Sequence, residues 1–131
     1  MTTVSGQRVF VVDDEPVIAS TLAMILNSSG FDTASFTDPS SALEAALVDP
    51  PDMLISDIVL PLFSGVELAK RVKHRCLRCK VLLFSGHVET AAMLEEAWAQ
   101  AHQFELLPKP IHPTVLLNRV RSLMEGGTSC A

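Results

Sequence analysis

Hydrophobic positions along this chain fall into short unbroken runs that alternate with longer stretches at helical spacing. Arg8-Val9-Phe10-Val11-Val12 is one such run, and it stops abruptly at Asp13-Asp14-Glu15. A strand apolar at every position belongs to a parallel sheet covered on both faces. Pro16 suits a first helical turn, and Ile18, Leu22, Ile25 and Leu26 follow on one helical face up to a stop at Gly30. Phe31 to Phe36 reads as a second strand. Asp38-Pro39 opens a second helix that carries Leu43, Ala46 and Leu47 inward and ends at Asp49-Pro50-Pro51. Met53-Leu54-Ile55-Ser56-Asp57-Ile58-Val59-Leu60-Pro61 is a third apolar run, with one carboxylate set into it. Ser64-Gly65-Val66-Glu67 has the form of a capping box and starts a helix running to about Lys73. Lys80 to Phe84 is a fourth apolar strand ending in Ser85-Gly86. A fourth helix then places Leu94, Ala97, Trp98 and Ala101 on one face. Phe104 to Leu107 is the last strand, before Pro108-Lys109-Pro110. The final helix begins near Pro113 and buries Leu116, Val120 and Leu123, and Gly126 to Ala131 reads as a frayed tail.

Strands and helices that alternate in this way predict an α/β doubly wound, five-stranded parallel sheet with five helices on its two faces. The expected strand order is the flavodoxin-like 2-1-3-4-5. One domain spans 1–131, with its core over about 8–124 and a flexible tail at 125–131.

Composition narrows the class. Hydrophobic residues make up 48% of 131, enough for a packed core without disulfides or metals to hold it. No apolar run approaches a membrane span, and the N-terminus lacks the blocks of a signal peptide, so a cytoplasmic protein is expected. A net charge of -5 argues against a nucleic-acid surface. The one basic cluster, Lys70 to Arg75 with Arg78 and Lys80, reads as a solvated helix end favoured by the helix dipole. Three cysteines, an odd number, fit a reducing compartment. Cys76-Leu77-Arg78-Cys79 lies near His74, but no second ligand pair follows for zinc, and it precedes a strand rather than opening a helix. It is expected to be an inter-element loop.

The unusual polar residues all sit at strand ends. Asp13 and Asp14 follow the first strand, Asp57 closes the third, Ser85 the fourth, and Lys109 comes just after the fifth. In an open parallel sheet, ligands bind beyond the carboxyl ends of the strands, where the strand order reverses. With strands one and three adjacent, three carboxylates would share a pocket, and such like charges call for a cation. Oxygen-only ligands suit a hard ion, magnesium first. A carboxylate, a magnesium site, a lysine and a hydroxyl are what phosphoryl transfer uses, with Asp57 as nucleophile. Each residue also has a plainer reading. Asp57 could turn the chain, Asp13-Asp14 could begin a helix, Ser85-Gly86 could be an ordinary turn, and Lys109 an exposed loop residue.

Four motifs in order carry a resemblance that covers about Arg8 to Met124. They are Val11-Val12-Asp13-Asp14-Glu15, Asp57-Ile58-Val59-Leu60-Pro61 with Gly65 beyond, Leu83-Phe84-Ser85-Gly86, and Leu107-Pro108-Lys109-Pro110. The chain resembles the receiver domain of two-component response regulators. The resemblance implies that Asp57 accepts a phosphoryl group from a phosphohistidine on a sensor histidine kinase or phosphotransfer protein. It implies Mg2+ bound directly by Asp14, Asp57 and the Val59 carbonyl, with Asp13 acting through water. Ser85 would move toward the phosphoryl group, Lys109 would pair with it, and the Lys109-Pro110 bond would be cis. A downstream protein would bind the face of the fourth helix, fifth strand and fifth helix, with no direct nucleic acid or membrane contact; a homodimer is compatible with the family.

Two departures from the family pattern matter. Leu106 stands where the family places Tyr or Phe as a rotameric switch, and Phe104 is expected on the other side of the strand alternation. Val59 and His87 flank the pocket at positions that tune hydrolysis, and Val59 has no group to orient a water. A phosphate-independent interaction domain and a magnesium-dependent phosphatase are the competing readings. The phosphatase lacks a general acid two residues after Asp57. No output domain follows the fifth helix, which fits either a stand-alone receiver or a fragment of a longer protein.

Overall fold

β1 (Arg8–Val12), β2 (Asp32–Phe36), β3 (Met53–Asp57), β4 (Lys80–Ser85) and β5 (Glu105–Pro108) pair in parallel in the order β2-β1-β3-β4-β5. This is the predicted flavodoxin-like sheet. The structure, a computed structural model, describes residues 7–85 and 104–129, with side chains as far as Glu125. The predicted fourth helix (Leu94, Ala97, Trp98, Ala101), together with Gly86 and His87, lies outside the described residues.

Unbroken apolar strands are buried because both faces of the sheet are covered. β3 is buried at all of its positions, between β1 and β4. Phe10, Val12, Leu54 and Leu83 point to a core shared with α2 (Pro39–Val48) and α3 (Gly65–Arg75). Val9, Val11, Ile55, Leu82 and Phe84 point the other way. They meet Leu22 and Leu26 of α1 (Pro16–Ser28) and Leu116 and Val120 of the C-terminal helix (Pro113–Ser129). Each such buried side chain contributes about 1.5–3 kcal/mol, so the sheet is anchored from both faces.

The helix ends follow from local chemistry. Gly30, at φ +100°, ends α1 in a left-handed turn. Its N–H reaches Asn27 O (3.2 Å) and the Phe31 N–H reaches Leu26 O (3.1 Å), with Phe31 and Leu26 packed in one core. That is the paired-bond stop glycine makes possible. Asp38 caps α2 by accepting from the Ser41 N–H (2.8 Å) and hydroxyl (2.9 Å), bonds that hold its carboxyl below the usual range. Ser64 caps α3 by accepting from the Glu67 N–H (3.1 Å), but Glu67 turns to Arg71 (2.9 Å), so only half of the capping box forms.

Several expectations are corrected. Ala42 and Ala46, not Leu47, form the buried stripe of α2; Leu47 is 48% exposed because the small residues let the helix sit close on that face. The basic end of α3, which continues to Arg75, is not simply solvated. Lys73 Nζ donates to Leu77 O (2.9 Å) and Cys79 O (3.0 Å), and Arg75 Nε to Leu47 O (3.1 Å), satisfying carbonyls of the loop and of the last turn of α2. The C-terminal helix runs on to Ser129 instead of fraying at Gly126. Glycine lowers helix stability but has no steric bar to helical angles, and no proline intervenes. Phe104 and Leu106 pack against the same core, with Leu107 on the opposite one. Alternation has a period of two, so residues 104 and 106 share a face.

Candidate functional site

At the carboxyl edge of the sheet, β1, β3, β4 and β5 deliver polar groups as they end. Asp13 follows β1 and is fully buried. Its N–H donates to Phe36 O (3.1 Å), and its Oδ1 accepts from the Glu15 N–H (2.9 Å). Asp14, next to it, is exposed. Asp57 closes β3 and is also buried, its Oδ1 accepting from the Val59 N–H (3.2 Å). Ser85 ends β4, one residue past Phe84, the partner of Asp57 in the sheet. Lys109 follows β5; its N–H donates to Ser85 O (2.9 Å), and the Lys109–Pro110 bond is cis.

Lys109 is not an exposed loop residue. Its Nζ lies 2.7 Å from Asp13 Oδ2 and 2.8 Å from Asp57 Oδ2, and its side chain is 16% exposed. One ammonium is thus shared by two buried carboxylates, and both Asp57 and Lys109 are raised, for different reasons. Burial pushes the Asp57 carboxyl above its ordinary range, and the nearby Asp13 charge adds to this, outweighing the pull of Lys109. Burial alone would lower Lys109, but its bonds to Asp13 and Asp57 raise it. The lysine is therefore held charged, whereas Asp57 carries a charge only partly offset.

Asp14 adds a further negative group. Carboxylate oxygens of Asp13, Asp14 and Asp57 all lie within 4.8 Å of one another. Hard oxygen donors, gathered with more negative charge than one lysine offsets, fit a small divalent cation such as magnesium. Among the described residues no second cluster of this kind occurs. The Cys76–Cys79 segment is a turn, with the Cys79 N–H bonded to Cys76 O (3.2 Å). Burial pushes the Cys79 thiol up to about 12, where it is a poor thiolate.

The response regulator receiver domain family matches residues 9–121. The chain belongs to this family. Over 116 residues it is 32% identical to the DNA-binding response regulator MtrA of Mycolicibacterium smegmatis, covering 88% of this chain and 50% of that protein. It is 34% identical over 102 residues to the DNA-binding transcriptional regulator NtrC of Escherichia coli, covering 78% and 21% respectively. The chain thus spans about half, or less, of the curated relatives it matches. A CheY-like receiver domain from Methanospirillum hungatei superposes with a TM-score of 0.85 at 18% identity, over 96% of this chain and 99% of that one, which establishes the fold. Receiver domains are signalling modules of two-component systems rather than conventional enzymes.

In this receiver, Asp13, Asp57 and Lys109 are in direct contact, and Asp14 is within reach of both acids. Ser85 and Val59 lie at the same edge, Val59 36% exposed beside Asp57. In the sequence Gly65 stands out only within its motifs and Ser56 has no expected role, yet both contribute to the site. A Cβ placed on Gly65 would lie 2.0 Å from the Asp57 carbonyl oxygen and 2.8 Å from Ser56 Oγ, so the first turn of α3 sits directly against the backbone of Asp57. Ser56, fully buried, donates from its hydroxyl to the same carbonyl oxygen (2.9 Å). A glycine straight after a helix cap is the one signal the sequence offered, since only a close approach makes that choice useful. The connecting loop also holds Leu62 at φ +73°, a left-handed conformation uncommon for a non-glycine residue, with the side chain 82% exposed.

Proposed function

We propose that this receiver is switched by phosphorylation of Asp57, with a phosphohistidine on a sensor kinase or phosphotransfer protein as donor. The observation that carries the reading is Lys109 bridging Asp13 and Asp57 at a strand-end cluster of three carboxylates. In the reaction, a carboxylate oxygen of Asp57 forms the new O–P bond as the N–P bond to the donor imidazole breaks. The Val59 N–H and Lys109 Nζ hold the two oxygens of Asp57, which limits the motion left to freeze before attack. Lys109 then offsets charge on the transferred phosphoryl group, and the Ser85 hydroxyl donates to one of its oxygens. Asp14, Asp57 and the Val59 carbonyl, with Asp13 through water, would hold Mg2+, which when bound supplies further positive charge to this pocket.

The partner surface in this reading is the face of the predicted fourth helix, β5 and the C-terminal helix. Leu106 fills the switch position with a smaller side chain, paired with Leu83 on β4, so readout relies on backbone movement around Ser85. DNA binding is a property named for the relatives; the net charge of -5 assigns no such surface to this chain. A cytoplasmic setting is part of the proposal, and no helix among the described residues is long and apolar enough to cross a membrane.

Incubation with a small acyl-phosphate donor and magnesium, followed by intact-mass measurement, tests the reading. A single phosphoryl adduct is expected, lost in Asp57→Ala and on chelation of the metal. No adduct would point to a phosphate-independent interaction domain, and turnover of phosphomonoesters to a phosphatase. Val59→Asn is expected to shorten the lifetime of phospho-Asp57 severalfold, because an amide beside the pocket can orient water where valine cannot. An unchanged or longer lifetime sinks that role for Val59.

A further inference from the structure

We infer that Ser56 is a positioning residue for phosphoryl acceptance at Asp57. The inference rests on the proposed function and adds to it a group outside the pocket. Ser56 pairs with Val12 on β1 and Leu83 on β4, both members of the core beneath α2 and α3. Its hydroxyl is therefore a polar group with no exposure, set among aliphatic side chains. An apolar residue would suit such surroundings better unless the hydroxyl has a use.

The use is visible in its one bond. Ser56 Oγ donates to the carbonyl oxygen of Asp57 at 2.9 Å, where β3 stops and the chain turns toward the loop. The same oxygen faces Gly65, so α3 and the hydroxyl confine it from two directions. The N–H of this same peptide and the carbonyl of the next one are bonded as well. The Ile58 N–H donates to Phe84 O (3.0 Å) and the Ile58 carbonyl accepts from the Gly65 N–H (2.8 Å). Between these fixed points, the peptide joining Asp57 to Ile58 determines where the Asp57 carboxylate and the Val59 N–H stand. That N–H bonds Asp57 Oδ1, so rotation of the peptide would displace both ends of one contact. Ser56 is the side chain that holds this peptide without touching the carboxylate, the phosphoryl group or the cation.

Losing the hydroxyl removes a donor from the Asp57 carbonyl and leaves the peptide held at its N–H edge, by the Ile58 bond to Phe84 O, so that its carbonyl edge can tilt. A misplacement approaching 1 Å costs up to about a hundredfold in rate, so a partial rotation predicts a loss of about tenfold. The experiment compares wild type, Ser56→Ala and Ser56→Cys, each at a temperature where circular dichroism shows it folded. Adduct formation from a small acyl-phosphate donor is followed at saturating magnesium, with magnesium affinity measured separately by isothermal titration calorimetry. The expected result is a rate constant about tenfold lower in Ser56→Ala with magnesium affinity within about twofold, and an intermediate rate in Ser56→Cys, whose thiol is a weaker donor. A merely structural hydroxyl would lower the unfolding midpoint and leave the rate of the folded protein unchanged, which overturns the inference. So would equal rates in the alanine and cysteine variants. If wild type forms no adduct, the reading of Asp57 itself fails first, which separates the two.

Discussion

Gly65→Ala is expected to destabilise the receiver by about 3 kcal/mol, although an alanine inside a helix usually gains about 0.5–1 kcal/mol over glycine. The sign follows from what the new methyl meets. It would lie 2.0 Å from the Asp57 carbonyl oxygen, well inside van der Waals contact, and the obstacle is backbone rather than a side chain that can swing away. Relief requires α3 to retreat from β3 or the end of β3 to shift. Retreat would break the bond from the Gly65 N–H to Ile58 O (2.8 Å) and open the apolar contacts of Val66 and Leu68. Urea unfolding of wild type and variant measures the effect, and stability equal to or above wild type would show that the close approach does not exist. Phosphoryl uptake by the folded fraction should fall too, because the Asp57 peptide is what the methyl displaces.

Lys109→Ala comes next in size. It removes the one ammonium bonded to Asp13 and Asp57, and breaking a buried pair from one side costs about 3–5 kcal/mol. The lower end applies here, since the pocket opens to solvent beside exposed Asp14. The deficit is expected to depend on pH in a definite direction. Lys109 has a folded-state pKa above 10.5, so its contribution is fully present below 10.5 and is lost as pH rises through the higher folded value. Asp57 is raised above 3.8, so the fold favours its protonated form, and stability declines as pH rises from 3.8 through the folded value. Without Lys109 that decline should steepen. The gap between variant and wild type should therefore be widest at neutral pH and narrow toward about pH 4, as the orphaned carboxylates protonate. Magnesium should also narrow it at neutral pH. A gap indifferent to both acid and magnesium would mean that lost packing, not unpaired charge, sets the cost.

Much of the fold was legible because it rests on local rules. The apolar run of β1 ending at Asp13, the stop at Gly30 and the caps at Asp38 and Ser64 each depend on residues within a few positions of one another. Leu47 misled because Leu43, Ala46 and Leu47 all lie within reach of one helical face, and only the docking angle of α2 selects the alanines as its centre. Lys73 and Arg75 misled because their partners are carbonyls of the loop and of another helix, which charge patterning does not reveal.

The candidate site divides in the same way. Strand-end positions placed Asp13, Asp14, Asp57, Ser85 and Lys109 at one edge from the sequence alone, because parallel topology sends every carboxyl end the same way. Only the tertiary structure decided how those groups share charge. Lys109 bonds Asp13 and Asp57 together, across 96 and 52 positions of sequence, and burial pushes the Asp57 carboxyl above its ordinary range despite that bond. The clamp on Asp57 from behind, made by Ser56 and the bare Cα of Gly65, was equally out of reach. Pattern reports which face a residue occupies, whereas desolvation and steric exclusion depend on distances that exist only once α3 is packed against β3.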